Sequence, residues 1–372
     1  LTGIGATISA WWILVANAWM QNPVGCEFNP DTMRNEMTSF WEVALSPMAV
    51  NKFTHTITSA WVLGAAFCVG VSCWYLLKKR HVEFARKSLK IGATVGLVSS
   101  LLTAMVGDES AYLVAKHQPM KLAAMEALYE GGKGEALTAV ALVNPFSQPD
   151  YMNATEPPMK IAVPNVLSFL ATRDFNGYVP GVRNIINGYT KDDGTVEPSL
   201  KEKMARGKQA IAALKAYRGG QKTEANVKTL KTNMKYFGYG YIKNADETVP
   251  PIGINFWAFR IMVGLGSLFI LVFAIILFVV YRKDITRPRL LQLVGIALIP
   301  LAYIASECGW LVAEFGRQPW TIQDMLPTWA AVSDLSNGGI AFTFFLFLFL
   351  FTAMLAVEVS IMCKQIKKGP EL

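Results

Sequence analysis

The residues of this chain best suited to chemistry lie where charge is costly to bury. Gly309-Trp310-Leu311-Val312-Ala313-Glu314-Phe315-Gly316-Arg317-Gln318-Pro319-Trp320 ends an apolar run with a carboxylate, a guanidinium and two indoles. Ionisable groups at membrane depth are rare and read by default as functional. Glu307 and Glu314 are seven apart, so a helix places them on one face with Trp310 between them. Arg317, three beyond Glu314, can approach it. A buried ion pair at the helix end is the plainer reading. Paired carboxylates in a membrane, however, more often mark a proton path or a metal than stability. A metal or cofactor opposite Glu314 would make its burial tolerable.

The chain has three histidines, His55, His81 and His117. His55 stands in Phe53-Thr54-His55-Thr56, near the start of an apolar run. Imidazole is a common heme-iron ligand. The alternative is a histidine bonded to a neighbouring carbonyl or hydroxyl. A bis-histidine heme would need a second membrane histidine, and none is present; methionine is the other axial partner. Met262, in Asn255-Phe256-Trp257-Ala258-Phe259-Arg260-Ile261-Met262, is expected at the depth of His55, although fifteen methionines make chance proximity easy. Arg260 adds a charge able to stabilise heme propionates or reduced iron, or else it snorkels to the interface. Asp108 and Glu109, in Gly107-Asp108-Glu109-Ser110, are expected to close a span at the surface, and Glu358 is a weaker candidate near the far end of the last span.

These residues need spans to hold them. The chain has 372 residues, 52% hydrophobic and 17% charged, with a mean hydropathy of +0.32. Six runs predict transmembrane helices at roughly 1–20, 53–77, 89–107, 254–281, 290–315 and 338–363. The net charge of +8 does not indicate nucleic acid, because the basic residues cluster beside the apolar runs. Lys78, Lys79, Arg80, Arg86, Lys87 and Lys90 follow the second run. Arg282, Lys283, Arg287 and Arg289 follow the fourth, and Lys364, Lys367 and Lys368 the sixth. With six alternating helices all three segments share one side, cytoplasmic by the positive-inside rule. The loop 21–50 carries Glu27, Asp31, Glu36 and Glu42 against Arg34 alone.

The stretch 108–250 dilutes the hydropathy and falls on the other side. It is too long for a passive connection. Ser199–Tyr217 and Gln221–Tyr236 read as basic helices, while Asn144-Pro145 and Glu156-Pro157-Pro158 punctuate the remainder. The expected fold is all-α, a polytopic membrane bundle of about six spans: 1–107 with three, 108–250 outside, and 251–372 with three more. Cys26, Cys68, Cys73, Cys308 and Cys363 show no CxxC pair, and Cys68 and Cys73 read as packing residues.

Together these segments resemble subunit I of cytochrome bd-type quinol:oxygen oxidoreductases across essentially the whole chain. The resemblance rests on Gly309–Trp320, Gly107-Asp108-Glu109-Ser110, Lys121-Leu122-Ala123-Ala124-Met125-Glu126 and the Arg260/Met262 pair. It implies a low-spin heme b, a high-spin heme b and a heme d. His55 and Met262 match the axial ligands of the low-spin heme b, with Arg260 beside it. Glu314 matches the ligand of the high-spin heme b, and Trp310 the indole between redox centres. Asn17 matches a polar residue near the heme propionates. Lys121 and Glu126 match the pair implicated in quinol oxidation, at the start of a large extracytoplasmic Q-loop.

The resemblance also implies a second large subunit, a small accessory subunit, quinol, oxygen and membrane lipid as partners, and the bacterial inner membrane as location. Family members carry about three helices before the segment matching Leu1, with the histidine assigned to heme d. The chain is therefore expected to be a fragment or a truncated product. A proton-coupled transporter using Glu307 and Glu314 is the rival reading, disfavoured by the lack of an internal repeat. A b-type cytochrome anchor is disfavoured by the single His55.

Overall fold

The computed structural model describes residues 1–146, 157–282 and 284–370. Glu156 and Lys283, read above as loop residues, lie outside the described residues. The helices, in chain order, are α1 (Thr2–Gln21), α2 (Phe40–Ala44), α3 (Pro47–Leu77), α4 (Val82–His117), α5 (Pro119–Glu126) and α6 (Val166–Thr172). They continue with α7 (Val182–Asn187), α8 (Leu200–Arg218), α9 (Glu224–Asn233), α10 (Ile252–Arg282), α11 (Arg289–Phe315) and α12 (Asn337–Lys368). Six of these, α1, α3, α4, α10, α11 and α12, are long and apolar enough to cross a membrane. The described sheet consists of small two-stranded antiparallel pairs.

Helix starts follow local chemistry. Ser46 accepts from the Ala49 amide with Pro47 in the first turn, so α3 begins with an orphan donor satisfied and one absent. Ser199 and Ser336 cap α8 and α12 in the same way. The third span differs from its expected end. Its apolar signal fades near Gly107, yet α4 runs on to His117. Its 36 residues extend about 54 Å at 1.5 Å per residue, well beyond a hydrocarbon core of about 30 Å. Asp108 and Glu109 thus lie within the helix. Both are held by Arg173 at the end of α6, at 2.8 Å and 3.1 Å respectively.

α3 packs on α4 and α11, and α10 packs on the same two. The four form a ring in which α3 faces α10, and α4 faces α11. At one end of the ring the core is apolar, built on Val69, Leu89, Phe273, Ile276 and Leu298. Glycines let the helices approach there. A Cβ on Gly96 would meet the Phe273 ring at 2.6 Å, and one on Gly295 would meet Cys73 Sγ at 2.5 Å. Lipid tails are as apolar as leucine, so close packing of small residues rather than hydrophobic exclusion holds such helices together.

The basic connections gather at this apolar end: Arg86 pairs with Asp284 at 3.3 Å, and Tyr75 donates to the Ile366 carbonyl at 2.8 Å. α1 packs on α3, whereas α12 has no buried residue along its length. At the opposite end, α5 and the described residues of the 127–250 segment cover the ring.

Candidate functional site

The covered end of the ring is polar. His55 lies two turns into α3 and Met262 nearly three turns into α10, both counted from helix starts at this end. They stand on the two helices that face each other across the ring. Each has a glycine of a neighbouring helix against it. A Cβ on Gly107 of α4 would come within 3.3 Å of His55 Cε1, and one on Gly309 of α11 within 3.2 Å of Met262 Sδ. His55 Nδ1 is buried without a hydrogen-bond partner. One turn earlier on α3, Asn51 donates to the Val106 carbonyl at 3.0 Å and contacts Ser110 Oγ, fastening α3 to α4 beside the histidine.

Arg260, two residues before Met262, does not snorkel. Its guanidinium donates to Glu126 at 2.7 Å, to the Thr138 carbonyl at 2.7 Å and to the Met125 carbonyl, and it lies over the Phe256 ring at 4.0 Å. The Glu126 side chain is 2% exposed and that of Arg260 10%. Burial pushes the Glu126 carboxyl above its ordinary range, and the adjacent guanidinium partly restrains that rise.

Lys121, five residues before Glu126 on the same short helix, belongs to a different network. Its ammonium donates to Gln21 Oε1 at 3.2 Å and to the Ala313 carbonyl at 3.3 Å. Gln21 donates to Asn17 Oδ1 at 3.0 Å, Lys52 donates to the same oxygen at 3.1 Å, and Asn17 donates to Glu314 at 2.9 Å. Arg317 closes the chain on Glu314 at 2.5 Å. Three cations, Lys52, Lys121 and Arg317, thus surround one carboxylate. Burial, together with Lys52 and Arg317, holds the Lys121 ammonium well below its ordinary pKa, against the pull of Glu314. Arg317 Nε and Nη1 are buried without partners. The arrangement suits an anionic group added to it.

The stripe Glu307, Trp310, Glu314 lies on the face of α11 that the ring leaves open. Glu307 is exposed and Trp310 is 40% exposed. Glu307 and Glu314 are therefore not brought together, and only Glu314 joins the cationic network. His117 and Lys121 share a cavity of about 170 Å³ with Gln118, Tyr239, Gln323 and Asp324. His81 is remote from it, against Tyr75 at the apolar end. Cys73 packs in the apolar core.

Sequence reasoning passed over Lys52, Gln21, Arg173, Tyr239 and Asp324. Lys52 falls one residue before the expected start of the second span, and only the longer α3 places it within the helix. Gln21, Arg173, Tyr239 and Asp324 sit in polar stretches where composition gives no contrast.

The family model for cytochrome bd terminal oxidase subunit I matches residues 1–370. The chain belongs to this family. It is accordingly an oxidoreductase subunit of a respiratory terminal oxidase and a multi-pass membrane protein. Across its whole length it is 37% identical to the cytochrome bd-II ubiquinol oxidase subunit 1 of Escherichia coli strain K12, covering 72% of that protein. It is 31% identical to the cytochrome bd ubiquinol oxidase subunit 1 of Bacillus subtilis strain 168, covering 67% of that one. The fold matches the bd oxidase structure from Geobacillus thermodenitrificans with a TM-score of 0.73 at 22% identity, over 99% of this chain and 68% of that one. The all-α membrane bundle expected from the apolar runs agrees with this likeness.

Proposed function

We propose that this bd-type subunit serves an oxidase that carries low-spin heme b, high-spin heme b and heme d, oxidises quinol, and reduces oxygen to water with generation of a proton-motive force. The observation that carries the reading is the placing of His55 and Met262 on opposite helices of the ring, about the same number of turns from its covered end, each with a glycine against it. A flat macrocycle would fit where no Cβ intrudes, and the buried, unpartnered His55 nitrogen is chemically suited to hold its iron. When bound, the hemes supply the one-electron steps between quinol and oxygen.

His55 and Met262 would hold the low-spin heme b. Arg317 and Lys52 would present positive charge to propionates, with Asn17 orienting Lys52 through the oxygen that accepts from it. Glu314 is the ligand assigned to the high-spin heme b. Its two oxygens accept from Asn17 and from Arg317, and each keeps a second lone pair that a metal could use. Trp310 and Glu307, on the open face of α11, face whatever completes that side.

Quinol meets the protein at α5. The Lys121 amine, held neutral more readily than a solvated lysine, accepts a substrate proton. Glu126, anchored on Arg260, orients the substrate and links its site to the Met262 helix. The 127–250 segment lies on the outer side and the basic end in the cytoplasm of a bacterial inner membrane, where subunit II and a small accessory subunit complete the enzyme. The test is the His55→Ala oxidase in a reduced-minus-oxidised spectrum. Loss of the low-spin b band is expected, and an unchanged band overturns the ligand assignment.

A further inference from the structure

Asp324 is a carboxylate that the reading above does not use. It occupies a left-handed turn position, φ 60°, between the paired strands Trp320–Ile322 and Leu326–Pro327. Its backbone carbonyl accepts from the Gly238 amide at 3.0 Å. No side chain fits at Gly238, since a Cβ there would meet the Asp324 carbonyl oxygen at 2.6 Å and the Trp320 ring at 2.7 Å. The turn is therefore clamped, and the carboxylate is fixed where it accepts from Tyr239 Oη at 2.7 Å and from Gln323 Nε2 at 3.0 Å. Gln118 Nε2 donates to Gln323 Oε1 at 3.0 Å, tying this group to the start of α5.

Asp324 and Lys121 line the same cavity. Its volume of about 170 Å³ holds more than one water, since one needs roughly 10–15 Å³. Gln118 Oε1 is buried without a protein partner and can accept from such a water. The titratable groups facing Asp324 are Tyr239 from the 3₁₀ helix Met234–Tyr241, Lys203 from α8 and Glu197 from the strand before α8, and Lys116, His117 and Lys191 share the cavity with them. Lys191 and Lys203 pair with Glu197, at 2.6 Å and 4.0 Å, and line the cavity's wall with it.

We propose that Asp324 is a proton-relay carboxylate, passing substrate protons from the Lys121 end of the cavity to the aqueous face on which the 127–250 segment lies. The proposal rests on the reading of Lys121 as the group that meets quinol. The substrate O–H breaks as an N–H forms on the Lys121 amine. That N–H then gives its proton through cavity water to an Asp324 oxygen, and the new O–H releases it past Glu197 and Lys203. No electron accompanies these transfers; electrons leave by the oxidase reaction. Burial pushes the Asp324 carboxyl up, with Tyr239, Lys203 and Gln323 pulling the other way, while Lys121 is pushed down. The two groups approach each other in proton affinity, which favours transfer in both directions. Tyr239, raised by burial and by Asp324, stays protonated and remains a donor.

The test uses the assembled oxidase with quinol as donor, and separately with tetramethyl-p-phenylenediamine, a one-electron donor that delivers no proton. Asp324→Asn is expected to lower quinol-driven kcat about tenfold with KM unchanged and to remove the acid limb of the pH profile. Oxidation of the protonless donor should persist, and Asp324→Glu should restore the limb. Should Asp324→Asn not assemble, Tyr239→Phe decides. It removes a bond that favours the ionised carboxylate, so the acid limb should move to higher pH. Quinol-driven kcat within twofold with an unshifted limb overturns the relay. Lys121→Met with unaltered quinol kinetics overturns instead the reading on which it rests.

Discussion

The two ends of the α3–α4–α10–α11 ring use the same helices for opposite purposes. At the basic end, Val69, Phe273, Ile276 and Leu298 fill the centre and glycines bring the backbones together. At the covered end, the glycines face His55 and Met262 instead, and Arg260, Glu126, Lys121, Lys52, Glu314 and Arg317 take the place of packed hydrocarbon. A filled end is sensitive to added atoms. A polar end is sensitive to lost partners, because a buried charge without its counter-ion is costly.

That contrast can be broken at its strongest point first. Arg260→Ala leaves Glu126 buried without its partner and should destabilise by about 3–5 kcal/mol. Thermal unfolding of the purified oxidase measures this, and a change below about 1 kcal/mol would mean that the polar end is wetter than the geometry implies. At the filled end, Gly96→Ala drives a methyl into the Phe273 ring and should cost roughly 1–3 kcal/mol. Its heme spectrum should stay unchanged; a disturbed spectrum would show that the two ends are coupled.

Lys121→Met tests the sign of the polar end. The folded state holds Lys121 below its ordinary pKa, so the unfolded chain binds more protons between the two values, and this lysine lowers stability at neutral pH. The methionine variant should unfold at a higher temperature at pH 7, with the gain shrinking as pH rises toward the ordinary lysine value. It should also lose quinol oxidation. Arg86→Ala removes only the half-exposed pair with Asp284, and denaturation should move by no more than about 1 kcal/mol.

The spans were legible because bilayer thickness imposes a long apolar run whatever the surroundings. α4 was cut short by the most, since its apolar signal stops while its hydrogen-bonded backbone continues to His117, and α3 and α12 likewise run five or six residues past their expected bounds at one end. Part of the site was legible for a related reason. His55, Arg260, Glu307 and Glu314 stand out against hydrocarbon, whereas Asp324 and Tyr239 lie in polar sequence, where another aspartate or tyrosine carries no contrast. The division of Lys121 and Glu126 between two networks was not legible either. Five residues apart on one short helix, they read as a pair, and only α10 on one side and α1 with α11 on the other draw them apart.

The sequence alone determined that six apolar helices exist, which residues among them are chemically costly, and, through its motifs, the family. These are local properties: hydropathy, helical period and residue type. Tertiary structure decided the partners. Arg260 meets Glu126 at a sequence separation of 134 and Asn17 meets Glu314 at one of 297, and no local pattern encodes which buried charge a folded chain will bring to another.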